Sequence, residues 1–405
     1  MRQAPTPPHD ATGEIGAGER LDFLFDASGW QSHGESPWHI CAMGRIGGRE
    51  MLALTLCGMP AAPLPATTMA DICAWLRQEG KRRLPLILVP DCVELLDGPH
   101  QHAALSDLLA GLADYRGQAP LLAAAHDQLV GPVAMAARMA DIVCLAPQGS
   151  LTLADEPTRR QVLAAGDAAP LQGGLDCTFA NEAAMLLGIR RILDLLPAGE
   201  QWERRARVPD DRDDPALERL IGADREAPID GRRLLRLLCD SRTFVELGRQ
   251  DGLVAGLARI GAHTTGMLVS DATTMSGVLD AGALGKAERL VRFCHRNGLP
   301  VVTLVDSPGV LPDDSALAAL AGLVSAWADC RVPVISLIVR RAIGAAVTAL
   351  IPPPRLAGRT LLHWPGARIG LRRQTAGTPD GRTITMRETR KALIGALGSP
   401  RRSSI

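Results

Sequence analysis

Apolar and polar positions follow two distinct rhythms along this chain. In "KAERLVRFCHRNG" (286–298), Leu290, Phe293 and Cys294 recur at helical spacing, while Lys286, Glu288, Arg289 and Arg296 fall mostly elsewhere, which predicts an amphipathic helix. Asn297-Gly298 supplies a stop signal, and the continuous apolar run "LPVVTLVD" after it predicts a buried strand. A second helix is predicted in "ALAALAGLVSAWADC", followed by a second buried strand in "VPVISLIV". Helices alternating with short apolar strands indicate the α/β class.

The pattern occurs twice. "GERLDFLFDASGW" (18–30) resembles "GRRLLRLLCDSRTF" (231–244), and "GRIGG" (44–48) resembles "ARIGA" (258–262). "LPLILVPDC" (84–92) resembles "LPVVTLVDS" (299–307), which places Asp91 over Asp306. The segment from Pro120 to Gly131 matches that from Pro333 to Gly344, and "ADIVCLAPQGSLTL" (140–153) matches "AGRTLLHWPGARIGL" (357–371). All offsets lie between about 213 and 218 residues and keep one order, so the chain reads as a tandem duplication. An N-terminal domain is expected within 1–205, a charged exposed linker over 206–230, and a C-terminal domain with a short basic tail over 231–405.

Composition adds limits. At 405 residues and 46% apolar, the chain is long enough for two domains with sizeable cores. Formal net charge is zero and aromatic residues are 3%, so neither a charge excess nor a stacking platform points to nucleic acid. No apolar run reaches membrane-spanning length and the N-terminal stretch lacks an apolar core, so the expected location is the cytoplasm, with no membrane partner. The nine cysteines are dispersed without a Cys-x-x-Cys, which disfavours a zinc ribbon and fits reduced core thiols. No metal is expected; His100 and His102 form a near-pair that reads as solvated loop histidines.

Candidate chemistry lies where strands end. "VTLVDSPGVLPDD" (302–314) has the Asp-x-x-Gly of a nucleotide switch loop, but no Gly-rich loop ending in Gly-Lys-Ser/Thr precedes it. "RRAIGAAVTAL" (340–350) places Gly344, Ala345 and Ala346 after a buried strand and at the start of a predicted helix. First-turn amides have no intrahelical acceptor, and two aimed at one oxygen form an oxyanion hole. Small residues equally permit close helix–strand packing, so on this segment alone both readings stay open. No nucleophile–base constellation stands out, which leaves chemistry to backbone donors.

These residues resemble a known family. "GVLDAGALGKAERLVRFCHRNGLPVVTLVDSPGVLP" (277–312), "LVAGLARIGAHTTGMLVSD" (253–271), "RVPVISLIVRRAIGAA" (331–346) and "LLHWPGARIGL" (361–371) resemble the carboxyltransferase (beta) subunit of biotin-dependent acyl-CoA carboxylases, of the propionyl- and acetyl-CoA type. The resemblance runs from about residue 15 to 375 and is looser in the first half. It implies two tandem crotonase-like domains, each a ββα spiral, and a homo-oligomer built from dimers. It implies an acyl-CoA or carrier-bound acyl thioester on the N-terminal domain. Carboxybiotin, carried on a biotin carrier protein, is implied on the C-terminal domain. A biotin carboxylase subunit or an acyl carrier protein completes the implied partners.

Carried over by position, the biotin-side hole falls on Gly344, Ala345 and Ala346, with Ser307 and Gly309 walling it. The thioester-side hole falls on Gly131 with Pro132 and Val133, and Pro132 has no N–H to donate. "DCVELLDGPHQH" (91–102) stands where glycines open a CoA groove in the family, and the segment after "SPGVLP" is about five residues short. The family's further C-terminal helices have no counterpart after residue 375 except one short basic helix. The implied activity is carboxyl transfer between carboxybiotin and an acyl thioester. The alternatives are decarboxylation of a malonyl-type thioester, or a paralogue that binds a partner without catalysis.

Overall fold

The computed structural model describes residues 15–57, 65–91, 101–154, 175–196, 215–221, 227–248, 252–352 and 358–398. The chain divides into two compact units, Met1–Pro170 with Asp176–Trp202 and Leu171–Leu175 with Glu203–Ile405.

Unit 1 runs α1 (Ala17–Leu24), β1 (Trp30–Ser36), β2 (His39–Ile46), β3 (Arg49–Leu56), α2 (Ala66–Gly80), β4 (Leu86–Leu88), α3 (Gln101–Arg116), β5 (Leu121–Ala125), β6 (Gln128–Val130), α4 (Gly131–Arg138), β7 (Ile142–Leu145), β8 (Ser150–Thr152), β9 (Asp176–Thr178) and α5 (Glu182–Leu195). Its sheet has the order β1-β2-β3-β4-β5-β7-β9, antiparallel through β3 and parallel thereafter, with β6 and β8 paired apart.

Unit 2 begins with α6 (Ala216–Ile221), α7 (Gly231–Leu238), β10 (Val245–Glu246), β11 (Leu253–Ile260) and β12 (His263–Ser270). It continues through α8 (Ala281–Arg296), β13 (Val301–Ser307), α9 (Asp314–Asp329), β14 (Val334–Ile343), α10 (Ala345–Leu350), β15 (Arg359–His363), β16 (Arg368–Gly370), β17 (Arg382–Thr383) and α11 (Thr389–Gly398). Its sheet repeats the plan, β10-β11-β12-β13-β14-β15-β17, with β16 added to β14. The continuous apolar runs become parallel strands buried on both faces, as β13 shows by being buried along its whole length.

The two units also agree bond for bond. Leu52 N donates to Pro85 O at 3.0 Å and Gly266 N to Pro300 O at 2.9 Å. In unit 1, Asp26 accepts the amides of the hairpin glycines, Gly47 at 3.1 Å and Gly48 at 2.9 Å, and pairs with Arg190 of α5 at 2.6 Å. In unit 2, Asp240 accepts Gly261 and Ala262 at 3.0 Å each and pairs with Arg390 of α11 at 2.5 Å. The "GRIGG" and "ARIGA" repeats are thus hairpin turns, each held by an aspartate that is itself clamped by an arginine from a later helix. The basic helix expected near the C-terminus is the structural counterpart of α5.

Helix α8 follows the predicted stripe, with Leu290, Phe293 and Cys294 fully buried and Asn297-Gly298 as its stop, Gly298 at φ +65°. Lys286 departs from the expectation. It lies four residues before Leu290, on the same stripe, and its side chain is buried. Its Nζ donates to Leu253 O at 2.6 Å and Gly248 O at 3.1 Å, which supplies the partners a buried ammonium requires. Lys286→Met keeps the stem but leaves these carbonyls without that donor, so a loss of about 1–3 kcal/mol is expected in urea unfolding. An unchanged midpoint would show that the carbonyls do not depend on the lysine.

The charged segment expected as an exposed linker over 206–230 holds α6, whose Leu217 is buried and whose Glu218 meets Arg387 through two bonds at 2.8 and 2.9 Å. Ile229 is buried as well. Residues 206–214 and 222–226 of that segment lie outside the described residues. No helix among the described residues is long and apolar enough to cross a membrane. None of the eight cysteines among the described residues is in a disulfide, and all but Cys57 are buried.

Candidate active-site hinges

Each unit carries a glycine hinge where a strand hands over to a helix. Gly131 follows β6 with φ +57°, and Gly344 follows β14 with φ +60°. This is backbone that favours glycine, since a Cβ there crowds the chain's own peptide groups. Neither glycine is forced by neighbouring atoms. A Cβ on Gly131 would come no closer than 3.8 Å, to Leu153 O, and one on Gly344 no closer than 3.8 Å, to Leu371 O. Leu153 and Leu371 occupy the same place in the two repeats, so the hinges are equivalent in surroundings as well as in angle.

In unit 2, Gly344 N donates to Gly370 O at 2.9 Å, and the first amide of α10 bonded back to the hinge is Val347 N, to Gly344 O at 3.2 Å. The amides of Ala345 and Ala346 precede it, in the turn where helical amides have no internal acceptor. In unit 1, α4 starts at Gly131, and Pro132 occupies an early helical position that suits its fixed φ. Val133 is buried and is the next residue with an amide.

Ser307 and Gly309 lie beside the unit 2 hinge. Ser307 pairs with Ala342 in the β13–β14 ladder, and a Cβ on Gly309 would lie 4.0 Å from Ile343 O. The Ser307 hydroxyl is engaged locally, donating to Gly309 O at 3.1 Å and accepting from Gly309 N at 3.3 Å. The structure therefore gathers Ser307, Gly309 and Gly344 at one strand edge. Gly131, Pro132 and Val133 form a contiguous counterpart in unit 1. Residues 92–100, where the altered CoA groove is expected, lie outside the described residues, and so does His100.

A charged layer under each hinge has no clear signature in the sequence. In unit 2, the buried Asp306 accepts a hydrogen bond from Arg340 Nε through Oδ1 at 3.1 Å, its Oδ2 lies at ion-pair distance from Arg340 Nη2, 2.8 Å, and Arg341 Nε is 3.5 Å away. Arg341 also donates to Ser276 O at 3.4 Å, from a turn with positive φ at Met275, Ser276 and Gly277. At Gly277 a Cβ would meet Asp306 O at 2.5 Å, so the turn is pressed against the aspartate and requires glycine there. In unit 1, Arg20 bridges Asp91 and Glu182, and His126 Nε2 lies 3.7 Å from Asp91. Burial and then the Arg20 charge push the His126 imidazole below its ordinary value, against the pull of Glu182 and Asp127. The only available signal is an Asp at one strand end and an Arg doublet at the end of another. That signal has meaning only once the two strands are known to be parallel neighbours.

No group of three or more His, Cys, Asp or Glu side chains among the described residues could hold a metal ion. The arrangement offers backbone donors at strand-to-helix hinges beside an ion-paired charged layer. Such donors stabilise a negatively developing oxygen.

Comparison with known proteins agrees with this geometry. The model of the carboxyl transferase domain family matches residues 133–372, more than half of the chain, beginning one residue past Pro132. A putative propionyl-CoA carboxylase beta chain of Bacillus subtilis is 28% identical over 76% of this chain and 64% of its own length. The propionyl-CoA carboxylase beta chain of Roseobacter denitrificans is 29% identical over 48% of this chain and 40% of its own length. The chain thus spans less than two thirds of the length of these curated relatives. Among solved structures, transcarboxylase 12S superposes with a TM-score of 0.82 at 18% identity, covering 96% of this chain and 92% of that one. A single-chain long-chain acyl-CoA carboxylase superposes with a TM-score of 0.73 over 93% of this chain and 45% of its own. The fold is that of two crotonase-like α/β units in tandem. With a family match over more than half its length and that doubled architecture, this chain belongs to the carboxyl transferase domain family.

Proposed function

We propose that the chain moves a carboxyl group between carboxybiotin, presented by a carrier protein, and an acyl thioester. The observation that carries this reading is the hinge at Gly344, with φ +60° and the Ala345 and Ala346 amides ahead of the first amide bonded back to it. In this reading the Ala345 and Ala346 amides donate to the ureido oxygen, and the nearest neighbour of a Cβ on Gly344, at 3.8 Å, leaves room for that approach. Carboxybiotin, when bound, supplies the activated carboxyl group. Gly131, Pro132 and Val133 take the thioester oxygen, with the Val133 amide as donor. Ser307 and Gly309 wall the biotin side.

The relatives support the substrate class. They are named propionyl-CoA carboxylase beta chains, and the transcarboxylase structure holds hydrolysed methylmalonyl-CoA in a hexamer. We assign this chain an acyl-CoA or carrier-bound acyl thioester, a biotin carboxylase or carrier partner, a dimer-based homo-oligomer and a cytoplasmic location. The test incubates the purified chain with carboxybiotin and a panel of acyl thioesters and reads carboxylated product by mass spectrometry. Product from at least one thioester is expected. No transfer from any of them overturns the reading, and carboxylate loss from malonyl thioesters without biotin reassigns the chain as a decarboxylase.

Pro132 sets a sharper expectation. One missing oxyanion donor costs about 2.7–4 kcal/mol of transition-state stabilisation. Pro132→Gly restores an N–H at that position, so turnover on the acyl thioester should rise by about a hundred- to a thousandfold. An unchanged or lower rate would mean that the thioester oxygen does not bind at this hinge.

A further inference from the structure

The most exposed large apolar side chains among the described residues are Leu371, at 78%, and Leu153, at 76%. They are the equivalent residues of the two repeats, and each contributes the atom nearest to a Cβ placed on its hinge glycine. The residues immediately C-terminal to them differ in sign. After Leu153 the sequence reads Ala154-Asp155-Glu156; after Leu371 it reads Arg372-Arg373-Gln374. Arg372 and Arg373 are exposed, and neither side chain has an ion-pair or hydrogen-bond partner among the described residues. Arg368, in the ladder opposite Arg341, adds a third exposed guanidinium, held to Ala376 O at 2.8 Å. The edge of unit 2 at Gly344 is therefore basic around an exposed leucine.

We propose that Leu371, Arg372 and Arg373 form the docking surface for an acidic biotin carrier domain, whose biotin arm then reaches the Gly344 hinge. This rests on the carboxyltransferase reading and adds the surface that selects the carrier for unit 2. Charge complementarity carries the choice of occupant: an acidic protein is attracted to the exposed Arg372 and Arg373. Leu371 supplies apolar contact within a charged rim, and Gly344 lies next to it through the Gly370 and Leu371 carbonyls. Charges of this kind act mainly on encounter rate and salt dependence.

The test uses the full chain and the doubly substituted Arg372→Glu/Arg373→Glu variant, with two carboxyl donors: an acidic carrier domain bearing carboxybiotin, and free biotin supplied as carboxybiotin. The variant should raise KM for the carrier by about tenfold or more at low salt and lose its salt dependence. Its kinetics with free biotin should match those of the unsubstituted chain. Binding of fluorescently labelled carrier, followed by anisotropy, gives a readout that needs no turnover. Unchanged carrier affinity overturns the proposal. Equal losses with carrier and free biotin overturn it too, because they place the arginines on the reaction rather than on docking. A variant that changes oligomeric state by mass photometry also overturns it, since a second copy would then cover this face. Carrier binding that depends on the arginines, in a protein with no transfer activity, would sink the carboxyltransferase reading and leave the docking surface standing.

Discussion

Gly344→Val is expected to reduce carboxyl transfer by about a hundredfold or more without unfolding unit 2. Gly344 sits at φ +60°, ψ −137°, a combination that an L side chain resists and a β-branched one resists most. The added Cβ meets nothing closer than 3.8 Å, so at that atom the damage is conformational rather than a packing clash. Relief comes from rotating the peptide units around the hinge, and those units carry the Ala345 and Ala346 amides. Holding the hinge strained costs of order 1–3 kcal/mol, which a domain of this size tolerates, whereas misdirecting one oxyanion donor costs about 2.7–4 kcal/mol in the rate. The control is Gly366→Val, at φ +83° in a turn with nothing within 4 Å of an added Cβ. That variant should show comparable strain in urea unfolding and normal kcat. Equal kcat for the two variants would remove Gly344 from the reacting site.

The second large effect concerns the clamp of unit 2. Arg390 is 2% exposed along its side chain and reaches Asp240, while its other arm donates to Leu238 O. Asp240→Asn preserves the shape but strands a buried guanidinium, and breaking such a pair from one side costs about 3–5 kcal/mol. The double variant Asp240→Asn/Arg390→Met should cost less than the sum of the single changes, because neither residue is then left charged and unpaired. Acid should act on the same contact. Burial pushes the Asp240 carboxyl up, but the Arg390 guanidinium and the Ala262 and Gly261 amides outweigh it and hold the group below its usual 3.8. A folded value below the unfolded one means the stabilisation is complete above the unfolded value and is lost as pH falls through the folded one. The urea midpoint of the parent chain should therefore decline below about pH 5, and that of Asp240→Asn should decline less. Parallel pH curves would exclude the carboxylate as the source.

Much of this architecture is readable in the sequence because strand burial leaves continuous apolar runs. "LPLILVP" and "LPVVTLVD" mark β4 and β13 without ambiguity, and their spacings from "GRIGG" and "ARIGA", 40 and 41 residues, expose the duplication. The hinge glycines are readable too, as small residues directly after such runs. The clamping arginines are not: Arg190 lies 164 residues from Asp26, and Arg390 lies 150 residues from Asp240, so no constant offset relates them. Lys286 escapes the pattern because charge usually marks a solvated face, and its carbonyl partners lie 38 and 33 residues away. The arginines around Asp306 become visible only with the register of β13 against β14, which no local pattern encodes.

The late-helix clamps have a consequence for how the polypeptide is made. Chains emerge from the ribosome N-terminus first, at about 5–20 residues per second, and domains fold as units. The arginine that closes the first hairpin turn, Arg190, is translated before α6 and everything after it, so unit 1 can reach its locked form while the remainder is still being synthesised. Unit 2 follows the same order, its turn presented at Gly261-Ala262 and secured by a guanidinium that arrives with residue 390. A ribosome stalled between these points would hold one finished lobe and one open lobe. Between turn and clamp the ribosome adds 142 residues in unit 1, from Gly48 to Arg190, and 128 in unit 2, from Ala262 to Arg390, so the first lobe is the one whose turn stays unsecured longer during synthesis.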